Sequence, residues 1–227
     1  MKRIVVAPMR WESKAVRHAI GGLQRITAPF PAWRGNALTL VECGVGPERA
    51  ARITSWLGEV DEVWLVGVAG GLVEGLETGD VLLADSIIAG SERLPCEAGA
   101  ELRARLGEGV RVGPLLSSAR ALIPPEEKRA AAARTGALAV EMEAAPLARW
   151  AAGRGVRFVH LRVILDPVDS TLYGTEEAGD GRGRFRPLIG SFYLAHPRAL
   201  RAMLDLHARM RVALGALSAL LARALAD

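Results

Sequence analysis

Amides and lysine are almost missing from this chain. Its 227 residues include one asparagine (Asn36), one glutamine (Gln24) and three lysines (Lys2, Lys14 and Lys128), although Lys and Arg together number 29. The scarcity of amides fits either a GC-rich genome or selection against thermolabile side chains, and composition does not separate the two. Two cysteines, Cys43 and Cys96, are too few for a disulfide framework, so a cytoplasmic chain with free thiols is the simplest reading. No apolar run reaches the length of a membrane span. The opening MKRIVVAPMRWESK meets charge too early for a secretory signal. The arginines are scattered among Asp and Glu without the basic stripe that follows a phosphate backbone, which weighs against nucleic-acid binding. His18, His160, His196 and His207 show no metal-ligand spacing, and with the two cysteines they make no zinc set. No metal is expected.

What is present is core-forming material in an alternating order. KRIVVAP (2–8), ALTLVECGVG (37–46), DEVWLVGVAGGL (61–72), VRVGPLLSSA (110–119) and VRFVHLRVILD (156–166) read as strands. GDVLLADSIIAG (79–90) reads as a strand pair or one long bent strand. Helices are expected at 11–20, at 47–57 behind Pro47, at 98–107, and at 124–136 between a proline start and Gly136. Leucines and methionines at three- and four-residue intervals predict a C-terminal helix over 197–226. Strands that are apolar throughout and alternate with helices imply a largely parallel sheet covered on both faces. The expectation is one domain over 1–227: an α/β fold, built as a three-layer α/β/α sandwich around a central mixed, mostly parallel sheet. The stretch 171–189 is rich in glycine and charge and is expected to be a flexible active-site loop.

ALAVEMEAA (137–145) places Glu141 and Glu143 either side of Met142 at a strand–helix junction. Carboxylates are rarely buried there unless something pairs with them. The strand ends PMRWE, CGVG, GVAGG and LRVILD can join VEMEA around one pocket. Taken singly each piece is ambiguous. The glycine loops suit tight turns as well as close approach of a ligand, Glu12 suits an exposed helix position, and Asp166 before Pro167 suits an aspartate turn. Neither loop has dinucleotide-binding spacing, and GVAGG lacks the lysine of a phosphate-binding loop.

Read together, VEMEAAPLARWAAGRGVRFVHLRVILD, MKRIVVAPMRWESKAV and GVAGGL…TGDVLLAD resemble the purine nucleoside phosphorylase and nucleosidase superfamily. The likeness is to the methylthioadenosine/S-adenosylhomocysteine nucleosidases, in order from residue 1 to about 169. The tail GSFYLAHPRALRAMLDLHARMRVAL is more like the hopanoid-associated phosphorylase branch. The resemblance implies a phosphorylase/hydrolase-like fold and an N-ribosyl hydrolase acting on a purine nucleoside, with a 5′-substituted adenosine favoured. It implies Asp166 as the acid at the leaving base and Glu12 as the base that activates water. Substrate binding falls to Gly44, Gly46, Ala69, Gly70, Met142, Glu143 and Arg162, with Glu143 on the ribose hydroxyls and Glu141 an outer, solvated or salt-bridged partner. Leu165 stands where the nucleosidases have serine, which leaves Asp166 without that partner, and Ala121 and Leu122 stand where an aromatic stacks on the base.

No cofactor is expected, with phosphate as co-substrate only in the alternative, a nucleoside phosphorylase. Leu65 stands where phosphorylases place an arginine, and Glu12 repels phosphate, so water is favoured. The rival from another class is a non-catalytic nucleoside-binding or membrane-associated protein. Arg198, Arg201, Arg209, Arg211 and Arg223 flank the C-terminal leucine stripe, a pattern that suits an anionic membrane but more often packs on its own domain or a second subunit. A homodimer is the expected assembly.

Overall fold

A ten-stranded sheet forms the centre of the computed structural model, which describes residues 2–36, 38–170 and 197–225. In chain order the strands are β1 (Arg3–Ala7), β2 (Gln24–Ile26), β3 (Ala32–Arg34), β4 (Leu38–Glu42), β5 (Glu62–Gly71), β6 (Val81–Ala89), β7 (Glu92–Pro95), β8 (Val110–Ser117), β9 (Ala139–Glu141) and β10 (Arg157–Asp166). The helices are α1 (Arg10–Ile20), α2 (Pro47–Leu57), α3 (Ala100–Leu106), α4 (Pro125–Thr135), α5 (Ala144–Ala152) and α6 (Pro197–Ala224).

The strands β4, β1, β5 and β10 run parallel side by side. Beyond them the sheet closes on itself: β10 pairs with β6, β6 with β8, β8 with β9, and β9 returns to β5. The longest ladders are parallel and the antiparallel ones are short, so the sheet is mixed as expected. One long strand, β6, occupies 81–89 with an irregularity between Ala84 and Ser86, and short β7 pairs with its far end. The ribbon β2–β3 on the β4 edge had no periodic signal, because each strand has three residues.

Alternation along the strands divides the core between two faces. Ile4 and Val6 of β1 pack with Ile53 and Leu57 of α2 and Leu147 and Ala151 of α5. Val5 and Ala7 face the opposite layer, with Val16 of α1, Leu106 of α3, and Met210, Leu217 and Leu221 of α6. These are the three layers. The helix stops are local: Pro47 opens α2, and Gly136 ends α4 in the left-handed conformation with φ 70°. From Met210 to Leu221 the apolar stripe of α6 covers the sheet, while Leu204 and Val212 are exposed. Among the described residues no helix is long and apolar enough to cross a membrane. The stretch 171–189, expected to be a flexible loop, lies outside the described residues.

Candidate active site

The topology brings separate motifs to one place. Register sets Gly70 of β5 opposite Val140 of β9, and Asp166 of β10 opposite Gly70 through a bulge after Ile164. A pocket of about 150 Å³ opens there, lined by Met9, Glu12, Val68, Ala69, Gly70, Met142, Glu143, Arg162 and Asp166, with Ala121 and Leu122 completing an apolar wall. Gly44 and Gly46 stand behind the lining, and Val45 between them reaches it. Their amides are used inside the protein: Gly44 N–H donates to the Pro8 carbonyl at 2.9 Å and Gly46 N–H to Glu143 Oε1 at 2.8 Å.

Glu12 sits in the first turn of α1, and one carboxylate oxygen accepts the Met9 N–H at 2.7 Å, satisfying a free donor of the helix start. The other accepts the Val68 N–H at 2.8 Å. The side chain is 1% exposed, and burial pushes its pKa from 4.5 up to about 7 despite the nearby Arg162 guanidinium. Gly67 makes this possible. A Cβ there would lie 2.3 Å from both Arg162 Nη1 and Glu12 Oε1.

Arg162 binds the remaining acids. Its Nη2 donates to Glu141 Oε2 at 2.7 Å and Glu143 Oε2 at 2.9 Å, and its Nη1 lies 3.9 Å from Glu12. Glu141 is not an outer, solvated group: it is buried, and the ion pair is the half of the expectation that holds. Its Oε2 also accepts the N–H groups of Glu143 and Ala144, both at 2.9 Å, so it caps the start of α5. Glu143 is raised by burial first, with Glu141 adding to the rise and Arg162 opposing it.

Asp166 ends β10. Thr78 Oγ1 donates to the Leu165 carbonyl at 3.0 Å, and Gly79 N–H to the Ile164 carbonyl at 2.9 Å, so the TGD motif fixes this strand end. The expected loss of a side-chain partner beside Leu165 is corrected by Lys128, whose Nζ donates to Asp166 Oδ2 at 2.6 Å. Burial raises the Asp166 pKa from 3.8 to about 6, and Lys128 limits the rise. Sequence reasoning missed Lys128 because it follows Glu126 and Glu127 in a helix start that reads as a solvated surface. Its rarity as one of three lysines was the available signal. Among the described residues no cluster of three or more His, Cys, Asp or Glu side chains is placed to hold a metal ion.

This geometry sets two buried carboxyl groups, Glu12 and Asp166, raised to about 7 and about 6, on one pocket that the Glu143 carboxylate also lines. A match to the phosphorylase superfamily covers residues 2–186. The 5′-methylthioadenosine/S-adenosylhomocysteine nucleosidase of Thermotoga maritima is 31% identical over 141 residues, a stretch spanning 54% of this chain and 62% of that protein. The fold is similar to the nucleosidase of Neisseria meningitidis solved with methylthio-immucillin-A, with a TM-score of 0.75 at 20% identity over 99% of this chain and 98% of that one. It is likewise similar to the futalosine hydrolase of Helicobacter pylori, with a TM-score of 0.74 at 18% identity over 99% and 97% of the two chains. With residues 2–186 matched, well over half of its length, this chain belongs to the phosphorylase superfamily.

Proposed function

We propose that the protein is an N-ribosyl hydrolase that cleaves a purine nucleoside with water, a 5′-substituted adenosine being the favoured substrate. The observation that carries the reading is the placement of Glu12, Glu143 and Asp166 around one pocket, with Glu12 and Asp166 poised at about 7 and about 6. Groups near the working pH serve best in proton transfer. As the bond from the sugar C1′ to the base N9 breaks, positive charge develops on the sugar and negative charge on the base. Asp166 delivers its proton to N7 of the departing base. Glu12 takes a proton from the water whose oxygen bonds to C1′. Glu143 accepts the ribose hydroxyls with the lone pairs that Gly46 and Arg162 leave open. The enzyme is left with Glu12 protonated and Asp166 ionised, and solvent exchange resets both.

Water is favoured over phosphate by charge. Glu12, Glu141, Glu143 and Asp166 line the pocket with Arg162, whose guanidinium is already shared by three of them. A phosphate dianion would meet uncompensated negative charge. The apolar wall of Ala121 and Leu122 suits the face of a base, and the adenosine assignment leans on what the named relatives act on or bind. No cofactor or metal enters the scheme. A cytoplasmic homodimer is part of the proposal, and light scattering that shows a monomer at micromolar concentration rejects the dimer. Base release from a panel of 5′-substituted adenosines, with and without phosphate, tests the activity. Release in phosphate-free buffer is expected. Release only with phosphate makes the enzyme a phosphorylase, and binding without release makes it a nucleoside-binding protein.

A further inference from the structure

Lys128 occupies an unusual position for its residue type. This chain uses arginine for nearly every cation, and Lys2 and Lys14 are exposed, yet Lys128 has no exposed surface. Three acceptors surround its Nζ: Asp166 Oδ2 at 2.6 Å, the Pro167 carbonyl at 3.0 Å and the Ser170 carbonyl at 3.1 Å. An ammonium has three donors, so all are used and none remains for a ligand. Arginine could not substitute, because its donors lie in a planar fork and cannot converge from one nitrogen.

We propose that Lys128 is a positioning residue: it fixes the Asp166 carboxylate by Oδ2, leaves Oδ1 for the pocket, and ties that carboxylate to the backbone at 167–170. The inference rests on the reading of Asp166 as the acid that protonates the leaving base. One nitrogen thereby joins α4, the end of β10 and the backbone that follows it. The pair also sets the proton affinity of Asp166. Burial favours the neutral acid, and the adjacent ammonium favours the ionised one. Among the described residues, the other charges facing the pair are Arg209 of α6, itself held by Asp205, and Glu12, Glu141, Glu143 and Arg162 across the pocket. Arg129, next to Lys128 on α4, is bound at the surface by Glu74 and Asp169. Among the described residues Lys128 is the charge in contact with the carboxylate, so its removal is expected to raise the Asp166 pKa.

Two spectra of the intact protein test this without using turnover. With three lysines, a side-chain nitrogen-15 spectrum is simple, and one slowly exchanging ammonium signal is expected. Its shift should follow the same midpoint, near pH 6, as the Asp166 carboxyl carbon, identified by its loss in Asp166→Asn. Lys128→Gln keeps donors without charge and Lys128→Met keeps neither; each folded variant should titrate Asp166 at higher pH. In a turnover assay kcat should be lowered with KM little changed. If no lysine signal follows Asp166 in the wild-type protein, or a folded variant titrates Asp166 at the wild-type pH, the proposal is wrong. Failure to release base from any nucleoside would remove the hydrolase reading but leave the spectral result intact.

Discussion

The two walls of the pocket hold their acids in different ways. On one side Glu12, Glu141 and Glu143 share a single guanidinium, Arg162. On the other, among the described residues, Asp166 is the one carboxylate paired with the ammonium of Lys128. All four acids are buried, so exposure does not distinguish them. The ratio of charges does. Where three carboxylates share one cation, burial raises Glu12 from 4.5 to about 7, with Arg162 opposing the rise. Where one carboxylate has one cation, Asp166 is raised by burial by a similar amount, from 3.8 to about 6, with Lys128 opposing the rise. Two unlike arrangements of counter-charge thus bring both carboxyl groups into the range where each can exchange a proton near neutral pH.

The harshest way to break this arrangement is Gly67→Ala. The added Cβ would fall 2.3 Å from both Arg162 Nη1 and Glu12 Oε1, driving the shared-cation wall apart. Base release should vanish while circular dichroism still reports a folded chain. Arg162→Met comes next, since it leaves three buried carboxylates without their cation. Stability in urea at pH 8 should fall by about 3–5 kcal/mol, and by less at pH 5, where protonation relieves the repulsion.

Glu143→Gln sharpens the comparison more gently. The amide can still accept the Gly46 N–H, but its NH₂ then faces Arg162 and the ribose hydroxyls, all donors. KM should rise by roughly tenfold to a hundredfold, the cost of about 1–3 kcal/mol for a mismatched buried group. The smallest effect is on stability against pH. Both Glu12 and Asp166 have folded pKa values above their ordinary ones, so the folded chain binds more protons than the unfolded chain. Their contribution is fully present below about pH 4 and is lost as pH rises through about 6 and about 7. Glu12→Gln should flatten that slope in urea titrations between pH 5 and pH 8, values chosen to bracket the two groups at about 6 and about 7.

Much of the shared-cation wall was legible in the sequence, because its residues lie at the ends of apolar strands and helices that announce themselves. Glu12, Ala69, Gly70, Met142, Glu143 and Arg162 all line the pocket. Glu141 was misplaced because adjacent carboxylates two apart look alike on paper; only the start of α5 decides that its oxygen turns inward to cap. The Asp166 wall was half legible. The acid was found at its strand end, while its partner lies 38 residues away on a helix whose neighbouring glutamates suggest a surface. Long-range pairing of that kind leaves no local period to read. The ribbon β2–β3 escaped for a related reason, since three-residue strands are too short for alternation to show.

The claim that matters most is that the two walls do opposite proton work, and a substrate with a self-sufficient leaving group tests it directly. A 4-nitrophenyl riboside departs as a stable anion and needs no proton, whereas a purine does. Asp166→Asn should lower purine release by about two to four orders of magnitude yet cleave the nitrophenyl riboside at a rate comparable to the wild-type enzyme. Glu12→Gln should fail on both, because water must be activated in either case. If Asp166→Asn is equally impaired on the two substrates, Asp166 is not the acid and the division of labour between the walls is wrong.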